Sequence, residues 1–545
     1  MKKLLTLMLS LALVFTMCFS LTSCGENTSG SEEVTEYAYD PADPPSSTKE
    51  IVFLSGSYED MGRQYGEQAK EALQRVVTQK KAAAIEQFGD INKVYAELDE
   101  YETIYDDSIP NVVTMWKGMA ETSGISYEDI LVAYTQFYVE PEKNCSTISM
   151  WGDATKDGKL ICGTNYDLTL GALVYEPVVV AYPEDGNAFI GGSGLIGGSY
   201  LNNKGLVVMG SQGQDAQESD TGKAVAPKVG LLEIIMTCNN AEEAKDLYIE
   251  KAAPGSGENL HVVDTEGNNF LVEHTMAKDT VRTSGDFNED DYLIATNGFL
   301  TDEMHDSLYT GEEYWDDDLP RYWTEEKIIQ DADGKATVDT LGDALGCTSY
   351  YIDEDYKQDV WEDGKVLGYK KIENGIWVED NWDLEDYTGF WTPENREVAT
   401  KCATRTVAVP EDMTMYVMQG CRDTYASDMP YLTGNFWRIT LEEDIETVIS
   451  QACGYAQKQI WLGGRDTDNA DKNKADRTDD LDTARAALYE GKSYADMAVC
   501  EEDYTTKLTY FSKAATAYCK AHCYAQLAQD NTTKIEREGA DYEIY

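Results

Sequence analysis

The sequence predicts an α+β layered sandwich, and three changes of pattern along the chain indicate it. Apolar residues recur at three- and four-residue spacing through residues 56–140, which is typical of packed helices. From Cys145 the chain changes to short β-rich runs separated by Asp-Gly, Asn and Gly turns. A predicted helix at 229–249 then separates these runs from further strands. Strands, a helix and more strands favour a core built from both sheets and helices.

The predicted elements of this core are short and follow one another closely. Ser57 precedes acidic residues and apolar positions at helical spacing, so it is predicted to begin the first helix after a strand at 51–54. Asn240, Ala241, Glu242 and Glu243 mark a helical start within 229–249. The further predicted strands are 146–150, 160–164, 177–181, 189–191, 206–209, 260–263, 270–273, 292–295 and a β-type segment at 405–418.

Two segments do not fit this pattern. Residues 305–395 are predicted to be an insertion, because six of the ten tryptophans lie there among dense Asp and Glu. The dipeptides Asp363-Gly364 and Asn374-Gly375 predict hairpins within it. Residues 465–480 are polar and are predicted to be a linker to C-terminal helices at 481–528. The linker's acidic residues lack the spacing of an EF-hand loop, which argues against calcium.

The N-terminus carries the pattern of an exported protein. Lys2 and Lys3 precede an apolar run that is short for a membrane span and typical of a signal peptide. The run ends in Leu-Thr-Ser-Cys, which resembles the bacterial lipobox and implies that Cys24 is lipidated. Residues 25–50 have few large apolar side chains and are predicted to be a disordered stalk. We therefore expect an extracytoplasmic protein anchored to the cell membrane through Cys24.

Charge and histidine content exclude several classes of function. The net charge is −56, from 100 Asp and Glu against 44 Lys and Arg, so the average field repels nucleic acid. Four histidines stand far apart, without the spacing of a zinc site. Ten of the 12 cysteines remain once Cys18 in the signal peptide and Cys24 are set aside, and none form C-x-x-C pairs. No metal and no cofactor are predicted.

Cys145 is the candidate nucleophile. The turn Asp157-Gly158 predicts a hairpin that returns the chain beside Cys145 and ends near Asn165 and Asp167. A thiol with a pKa of about 8.5 needs a base, and no histidine is near in sequence. Cleavage of the Asn144–Cys145 bond would free an α-amine, with a pKa of about 7.7–8.0, that can serve as this base. Asp167 would then hold the ammonium form.

Two runs carry recognisable motifs, the run from Gly56 to Gly66 and the hairpin of Cys145-Ser-Thr with Gly163-Thr-Asn-Tyr-Asp167. They resemble the N-terminal helix motif and the nucleophile hairpin of the isopenicillin N acyltransferase-like family, which is distantly related to choloylglycine hydrolases. Thr164 departs from the Arg of choloylglycine-type members. Further matching elements are Asn202-Asn203-Lys204-Gly205-Leu206, Thr296-Asn297, Ala403-Thr404-Arg405 and the amide Gln212.

The resemblance implies an αββα sandwich of the N-terminal-nucleophile hydrolase type. Together with the sequence pattern, it divides the chain into a lipoprotein signal at 1–24, a stalk at 25–50, a helical propeptide at 51–144, a hydrolase domain at 145–464 with the insertion at about 305–395, and a linker with C-terminal helices at 465–545. It implies Cys145 as nucleophile, Asp167 and Arg405 as further catalytic residues, and Asn297 in the oxyanion hole. Asn165 and Gln212 are implied as supporting amides. The expected substrate is a small N-acyl amide, hydrolysed after self-cleavage at Asn144–Cys145.

Alternatives remain open at this point. A thiol dipeptidase of the same superfamily would share the motifs, and a non-enzymatic solute-binding lipoprotein would share the export signals. Gly346-Cys347-Thr348-Ser349 also looks like the family's nucleophile motif. However, no propeptide-like segment leads into Cys347 and no Asn-x-Asp hairpin follows it, so Cys145 is the preferred site.

Overall fold

Two large β-sheets form the centre of the fold. The computed structural model describes residues 50–135, 144–168, 177–195, 199–212, 222–251, 257–286, 289–305, 318–346, 361–362, 365–366, 369–373, 376–380, 401–419, 435–470 and 474–529. All of them belong to a unit spanning Ala38–Tyr545, whereas a separate unit, Met1–Tyr37, lies outside the described residues. The predicted signal peptide, Cys24 and nearly all of the stalk therefore stay predictions.

The first sheet has eight strands. They are β1 Ile51–Gly56, β4 Val178–Pro183, β5 Phe189–Gly191, β6 Ser199–Asn202, β7 Val207–Gln212, β8 Glu258–Val263, β9 Asn269–His274 and β10 Asp279–Arg282. Their order across the sheet is β1-β4-β5-β6-β7-β8-β9-β10. β1 pairs parallel to β4 and the remaining neighbours are antiparallel. The sequence predicted most of these strands to within a few residues.

The second sheet has six antiparallel strands. They are β2 Asn144–Met150, β3 Ile161–Leu168, β11 Tyr292–Ala295, β16 Lys401–Val409, β17 Thr414–Gln419 and β18 Asn435–Thr440. Their order is β11-β2-β3-β16-β17-β18. β2 and β3 form the predicted hairpin, and Gly158 in its turn has a φ of 77°, which favours glycine. This hairpin places Cys145 at one end of a central strand.

A layer of helices covers the outer face of the first sheet. Its helices are α1 Tyr58–Gln68, α2 Lys70–Phe88, α3 Ile91–Ser108, α4 Pro110–Ser123, α5 Tyr127–Tyr134, α6 Pro227–Thr237 and α7 Ala241–Lys251. The hydroxyl of Ser57 accepts a hydrogen bond from the N–H of Asp60, so Ser57 caps α1 as predicted. The predicted helix at 229–249 is two helices, because the chain is extended at Cys238 and restarts at Asn240.

Alternate residues of each strand in the first sheet enter different cores. Val179 and Ala181 pack against the helical layer, whereas Val178 and Val180 face the second sheet. The second sheet is covered on its other side by α9 Asp318–Asp331 and α10 Val338–Leu345, and a short helix α8 Asp302–His305 precedes them. The layers therefore run helix, sheet, sheet, helix, and the predicted αββα sandwich is confirmed.

The C-terminal helices are integrated into this sandwich. They are α11 Ile445–Asp468, α12 Lys474–Cys500 and α13 Tyr504–Leu527, and they share one core with the inner face of the first sheet. The N–H groups of Ile51 and Phe53 on edge strand β1 donate to the hydroxyls of Thr516 and Ser512, each at 3.0 Å. α13 thus provides acceptors for backbone N–H groups that would be unpaired at an exposed sheet edge.

Two predicted segment types are corrected by the structure. The predicted linker at 465–480 contains the end of α11, at Asp468, and the start of α12, at Lys474, since Asp, Lys and Arg lie on exposed helix faces there. The predicted insertion from 305 contains α9 and α10, which form a layer of the sandwich because their apolar sides pack on the second sheet.

Hairpins do follow within that segment, as the turn dipeptides predicted. The short strands β12 Trp361–Glu362 and β13 Lys365–Val366 pair with each other, as do β14 Tyr369–Glu373 and β15 Ile376–Asp380. The described residues contain no helix that is both long and apolar enough to span a bilayer.

Candidate active site

Cys145 lies at the start of β2, with its side chain between the two sheets. It pairs across the strands with Tyr166 of β3, so the two side chains lie on the same face. The hydroxyl of Tyr166 is 3.4 Å from the carbonyl oxygen of Gly210 in the first sheet. The face that carries Tyr166 and Cys145 therefore points toward the first sheet. Cys145 is 1% exposed and forms no disulfide.

Asn297 holds the backbone nitrogen of Cys145. Strand β11 pairs Ala295 with Thr147, and the chain then turns so that Asn297 comes opposite Cys145. The N–H of Cys145 donates to the Asn297 Oδ1 at 2.9 Å, and Asn297 is 1% exposed. The amide predicted from the Thr-Asn element therefore contacts the candidate nucleophile directly, 152 residues away in sequence.

Arg321 of α9 is a site residue that the sequence analysis missed. Its Nη1 donates to the carbonyl oxygen of Cys145 at 2.7 Å and to the Ser146 Oγ at 3.3 Å. Its Nη2 donates to the Asn297 Oδ1 at 2.7 Å. Arg321 lies inside the segment that the sequence predicts to be an insertion, outside the motifs that indicate the site. The signal in the sequence is that Arg321 is the one arginine in residues 318–331, where Leu319, Tyr322 and Ile329 recur at helical spacing.

A buried ionic network holds the start of α9 against the sheet. Arg282 contacts Glu273 at 3.1 Å and Glu289 at 3.4 Å, and all three side chains are at most 1% exposed. Glu289 also accepts from the hydroxyl of Tyr322 at 2.8 Å, and Tyr322 is the neighbour of Arg321. Burial raises the pKa of Glu289 to about 7, although Arg282 favours its carboxylate form. This network positions the helix that carries Arg321.

Asn165 joins the nucleophile strand to α10. Its Oδ1 accepts from the N–H of Ser146 at 2.6 Å, and its Nδ2 donates to the carbonyl oxygen of Leu345 at 2.6 Å. The predicted supporting amide thus contacts the residue after Cys145. It ties β3 to the outer helical layer at the same end of the sheet.

Arg405 lies beside this amide on β16, where it pairs with Asn165. Its Nη1 donates to the carbonyl oxygen of Gly342 at 2.5 Å, its Nε lies 3.4 Å from the sulfur of Met418, and its guanidinium stacks 5.1 Å from the Phe436 ring centroid. These contacts anchor α10. The catalytic role of Arg405 stays a prediction.

Two cations lie near the candidate nucleophile, although the buried carboxylate of Glu258 is close enough to Tyr166 to act on its hydroxyl. Lys228 of α6 places its Nζ 4.0 Å from the centroid of the Tyr166 ring, a cation–π contact. Burial and the proximity of Cys145 raise the pKa of Tyr166 well above its usual value, so its hydroxyl stays protonated. Arg321 adds a second cation on the other side of Cys145. Both charges favour a thiolate or an oxyanion at this position.

The remaining predicted residues are placed less completely. The backbone of Asp167 pairs with Asn144 and with Cys402, and that of Gln212 pairs with Glu258. Their side chains lie outside the described part of the structure, so their roles stay predictions. Cys347 also lies outside it.

No metal cluster occurs in the part of the chain that the structure describes. There, no three His, Cys, Asp or Glu side chains are grouped to hold an ion. Burial lowers the pKa of His261 and His522 to about 3 and that of His274 to about 4, so these three rings are neutral.

Comparison with known proteins finds one family model that matches part of the chain. Residues 154–363 match the model described as acyl-coenzyme A:6-aminopenicillanic acid acyl-transferase. The match begins after Cys145, includes Asn297 and Arg321, and ends before Arg405. No curated protein sequence matches the chain.

Several solved structures resemble the chain at low identity. Penicillin V acylase from Agrobacterium tumefaciens is 10% identical, with 55% of this chain and 87% of that chain covered and a TM-score of 0.30. A mutant of conjugated bile acid hydrolase from Clostridium perfringens is 11% identical, with 50% of this chain and 89% of that chain covered and a TM-score of 0.28. The likeness to the family rests on the sequence match. Residues 154–363, less than half of the chain, are similar to the acyl-coenzyme A:6-aminopenicillanic acid acyl-transferase family, in agreement with the resemblance of the motifs.

Proposed function

We propose that this protein is a cysteine amidase of the N-terminal-nucleophile type. It cleaves its own Asn144–Cys145 bond and then hydrolyses the amide bond of a small N-acyl compound. The observation that carries the proposal is the double attachment of Cys145, whose N–H donates to Asn297 and whose carbonyl accepts from Arg321. Both side chains are buried, and they hold the backbone on either side of the Cys145 thiol in place.

The base is the nitrogen already held by Asn297. In the uncleaved chain this nitrogen belongs to the Asn144–Cys145 peptide, and after cleavage it becomes the α-amine of Cys145. The Asn297 Oδ1 can accept from the amine as it does from the peptide, which keeps the amine beside the thiol. The Arg321 guanidinium, bonded to the same Oδ1, favours the neutral, proton-accepting form of the amine.

Catalysis then follows from these positions. The amine takes the thiol proton, the thiolate attacks the substrate carbonyl, and negative charge develops on the carbonyl oxygen. Since the Asn297 Oδ1 faces Cys145 and Arg321, its Nδ2 is the group that can donate to this oxyanion. The ammonium returns the proton to the leaving amine, and water resolves the thioester. Asp167, at the end of β3, is proposed to stabilise the ammonium form.

Hydrolysis is favoured over transfer to an acceptor because the protein is proposed to be exported and lipid-anchored. This part rests on the signal-peptide pattern and the lipobox resemblance at Cys24. Cell fractionation of the wild type and of Cys24→Ala tests it. We expect the wild type in the membrane fraction and the variant in the soluble exported fraction. Equal distribution of both would contradict the anchor.

Intact-mass analysis and N-terminal sequencing of the purified protein test self-cleavage. We expect two chains, the second beginning at Cys145. Cys145→Ala should stay uncut and inactive, whereas the matched control Cys347→Ala should be cut normally. A single uncut wild-type chain that is still active would refute the free-amine mechanism.

The substrate class is tested with matched amides. Hydrolysis of N-acyl amino acids and N-acyl amines should exceed hydrolysis of dipeptides, measured by mass spectrometry of both products. Preferred cleavage of dipeptides would favour a thiol dipeptidase. Tight binding of the compounds without turnover by any preparation would favour a solute-binding protein.

A further inference from the structure

Strand β8 presents two polar side chains to the second sheet at alternate positions. Leu260 and Val262 face the helical layer, so Asn259, His261 and Val263 face the opposite side. Asn259 and His261 are 1% and 0% exposed, which is unusual for polar residues without a partner. Their partners explain the burial, because both reach the elements that carry the candidate active site.

His261 is hydrogen-bonded to the nucleophile strand. Its Nδ1 lies 3.2 Å from the Thr147 Oγ1, and its Nε2 lies 2.9 Å from the Ser149 Oγ and 3.1 Å from the Asn269 Oδ1. An amide oxygen only accepts, so the Nε2 carries the proton and the Nδ1 accepts from Thr147. Thr147 and Ser149 are on the same face of β2 as Cys145, so His261 fixes the strand directly behind the thiol.

Asn259 is hydrogen-bonded to the turn that carries Asn297. Its Nδ2 donates to the carbonyl oxygens of Thr296 and Gly298, at 3.0 and 3.1 Å. These are the two residues that flank Asn297. The Ser211 Oγ also donates to the Thr296 carbonyl, at 2.5 Å. The turn therefore has its backbone fixed on both sides of the amide that contacts Cys145.

We infer that Asn259 and His261 are positioning residues for the proposed reaction, which together set Cys145 and Asn297 relative to one another. Two residues of a strand span about 6.6–6.8 Å, so β8 holds the nucleophile strand and the Asn297 turn at a fixed separation. Catalytic groups tolerate displacements of only about 0.5 Å, and a shift of about 1 Å can cost about 100-fold in rate. The inference rests on the proposed function, and neither residue contacts the reacting atoms.

His261→Phe and Asn259→Ala test this inference in the processed protein. Each should lower kcat by about 10- to 100-fold while KM changes by less than about threefold, because alignment and not substrate binding is lost. The alkylation rate of Cys145 by iodoacetamide should also change in His261→Phe. His261→Gln keeps an amide that can donate to Asn269 and should recover part of the lost kcat.

The matched control is His274→Phe. His274 is also buried, lies on the neighbouring strand β9 and packs edge-on against Tyr248 in the helical layer, away from β2. It should alter the thermal midpoint and leave kcat and Cys145 alkylation unchanged. If His261→Phe fails to fold, Thr147→Val and Ser149→Ala remove the same hydrogen bonds from the side of β2 and should give the same loss of kcat.

Normal kcat in folded His261→Phe and Asn259→Ala would overturn the inference, as would an equal loss in the control. These outcomes are distinct from failure of the proposed function. An inactive wild type without alkylation at Cys145 overturns that function first, whereas an active wild type with unaffected variants overturns only the positioning role.

Discussion

Two arginines reach the same face of the second sheet, and they differ in what they contact. Arg321 and Arg405 are almost equally buried, at 3% and 4% exposure. Arg321 donates to the backbone of Cys145 and to Asn297, whereas the hydrogen bond described for Arg405 anchors the carbonyl of Gly342 in α10. Burial alone therefore does not reveal a catalytic arginine. The hydrogen-bond partners of the two guanidinium groups distinguish two regions. The first region, with Arg321, contacts the candidate nucleophile, and the second region, with Arg405, anchors α10 on the sheet.

The largest effect is expected at Asn297, which belongs to the first region. Asn297→Ala removes the acceptor for the Cys145 nitrogen and the donor for the oxyanion, so kcat/KM should fall by about 100- to 1000-fold. Asn297→Asp keeps the acceptor and loses the donor. Its kcat/KM should fall by a similar factor if donation to the oxyanion dominates. Steady-state kinetics measures both. A loss of less than tenfold in Asn297→Ala would exclude the oxyanion role.

The second largest loss of kcat/KM is expected at Arg321. Arg321→Ala leaves the Cys145 carbonyl and the Asn297 Oδ1 without their charged donor, and hydrogen bonds to charged groups contribute about 1.5–3 kcal/mol. We expect kcat/KM to fall by about 100-fold. Arg321→Lys keeps the charge but cannot span both acceptors, so it should recover only part of the loss. Full recovery by Lys would show that charge alone suffices.

Arg405 should affect stability more than turnover. Arg405→Ala removes a buried hydrogen bond to α10 and a stacking contact with Phe436, and should lower the free energy of unfolding by roughly 3 kcal/mol. The kcat/KM of the folded protein should fall by less than tenfold. A large loss of kcat/KM with an unchanged thermal midpoint would move the catalytic arginine to this region.

The pH dependence of stability tests the network behind Arg321. Burial raises the pKa of Glu289 from about 4.5 in the unfolded chain to about 7, so the folded protein binds this proton more tightly. The stabilisation is complete below the unfolded pKa and is lost as pH rises through the folded pKa. This single group should reduce stability by roughly 3 kcal/mol between pH 4.5 and 7.

Thermal midpoints of Glu289→Gln across this range measure the effect, since the variant should show a flatter profile than the wild type. Burial also raises the pKa of Glu233 to about 7, but Glu233 contacts Val112 and Asn111 at the start of α4, away from Cys145. Glu233→Gln should flatten the stability profile and leave kcat unchanged. An unchanged profile in Glu289→Gln would contradict the raised pKa.

The smallest effect is expected on stability, at Gly346, where the end of α10 lies against Arg405. An added Cβ at Gly346 would lie 2.0 Å from the Arg405 Nη1, too close for any side chain. Gly346→Ala should therefore destabilise the protein by about 1–3 kcal/mol. Gly464, in helix α11, has nothing within 4 Å of an added Cβ, so Gly464→Ala should stabilise by about 0.5–1 kcal/mol. Equal midpoints for both variants would show that Arg405 moves aside freely.

Local signals in the sequence determined much of this molecule. Asp157-Gly158 specified the hairpin that pairs Cys145 with Tyr166. The resemblance of Thr296-Asn297 to a family motif pointed to Asn297, whose Oδ1 accepts from the Cys145 N–H. Strand positions, the cap at Ser57 and the hairpins after Trp361 also followed from turn chemistry and periodicity, because these depend on residues a few positions apart.

Tertiary structure decided which distant residues meet Cys145. Arg321 lies 176 residues from it, within a segment whose tryptophans and acidic residues predicted an insertion. Asn259 and His261 show no pattern in sequence beyond alternation, since their partners on the Asn297 turn and on β2 come from other strands. Periodicity specifies that a face is buried but not what it is buried against, so contacts across the two sheets are fixed only when the layers pack.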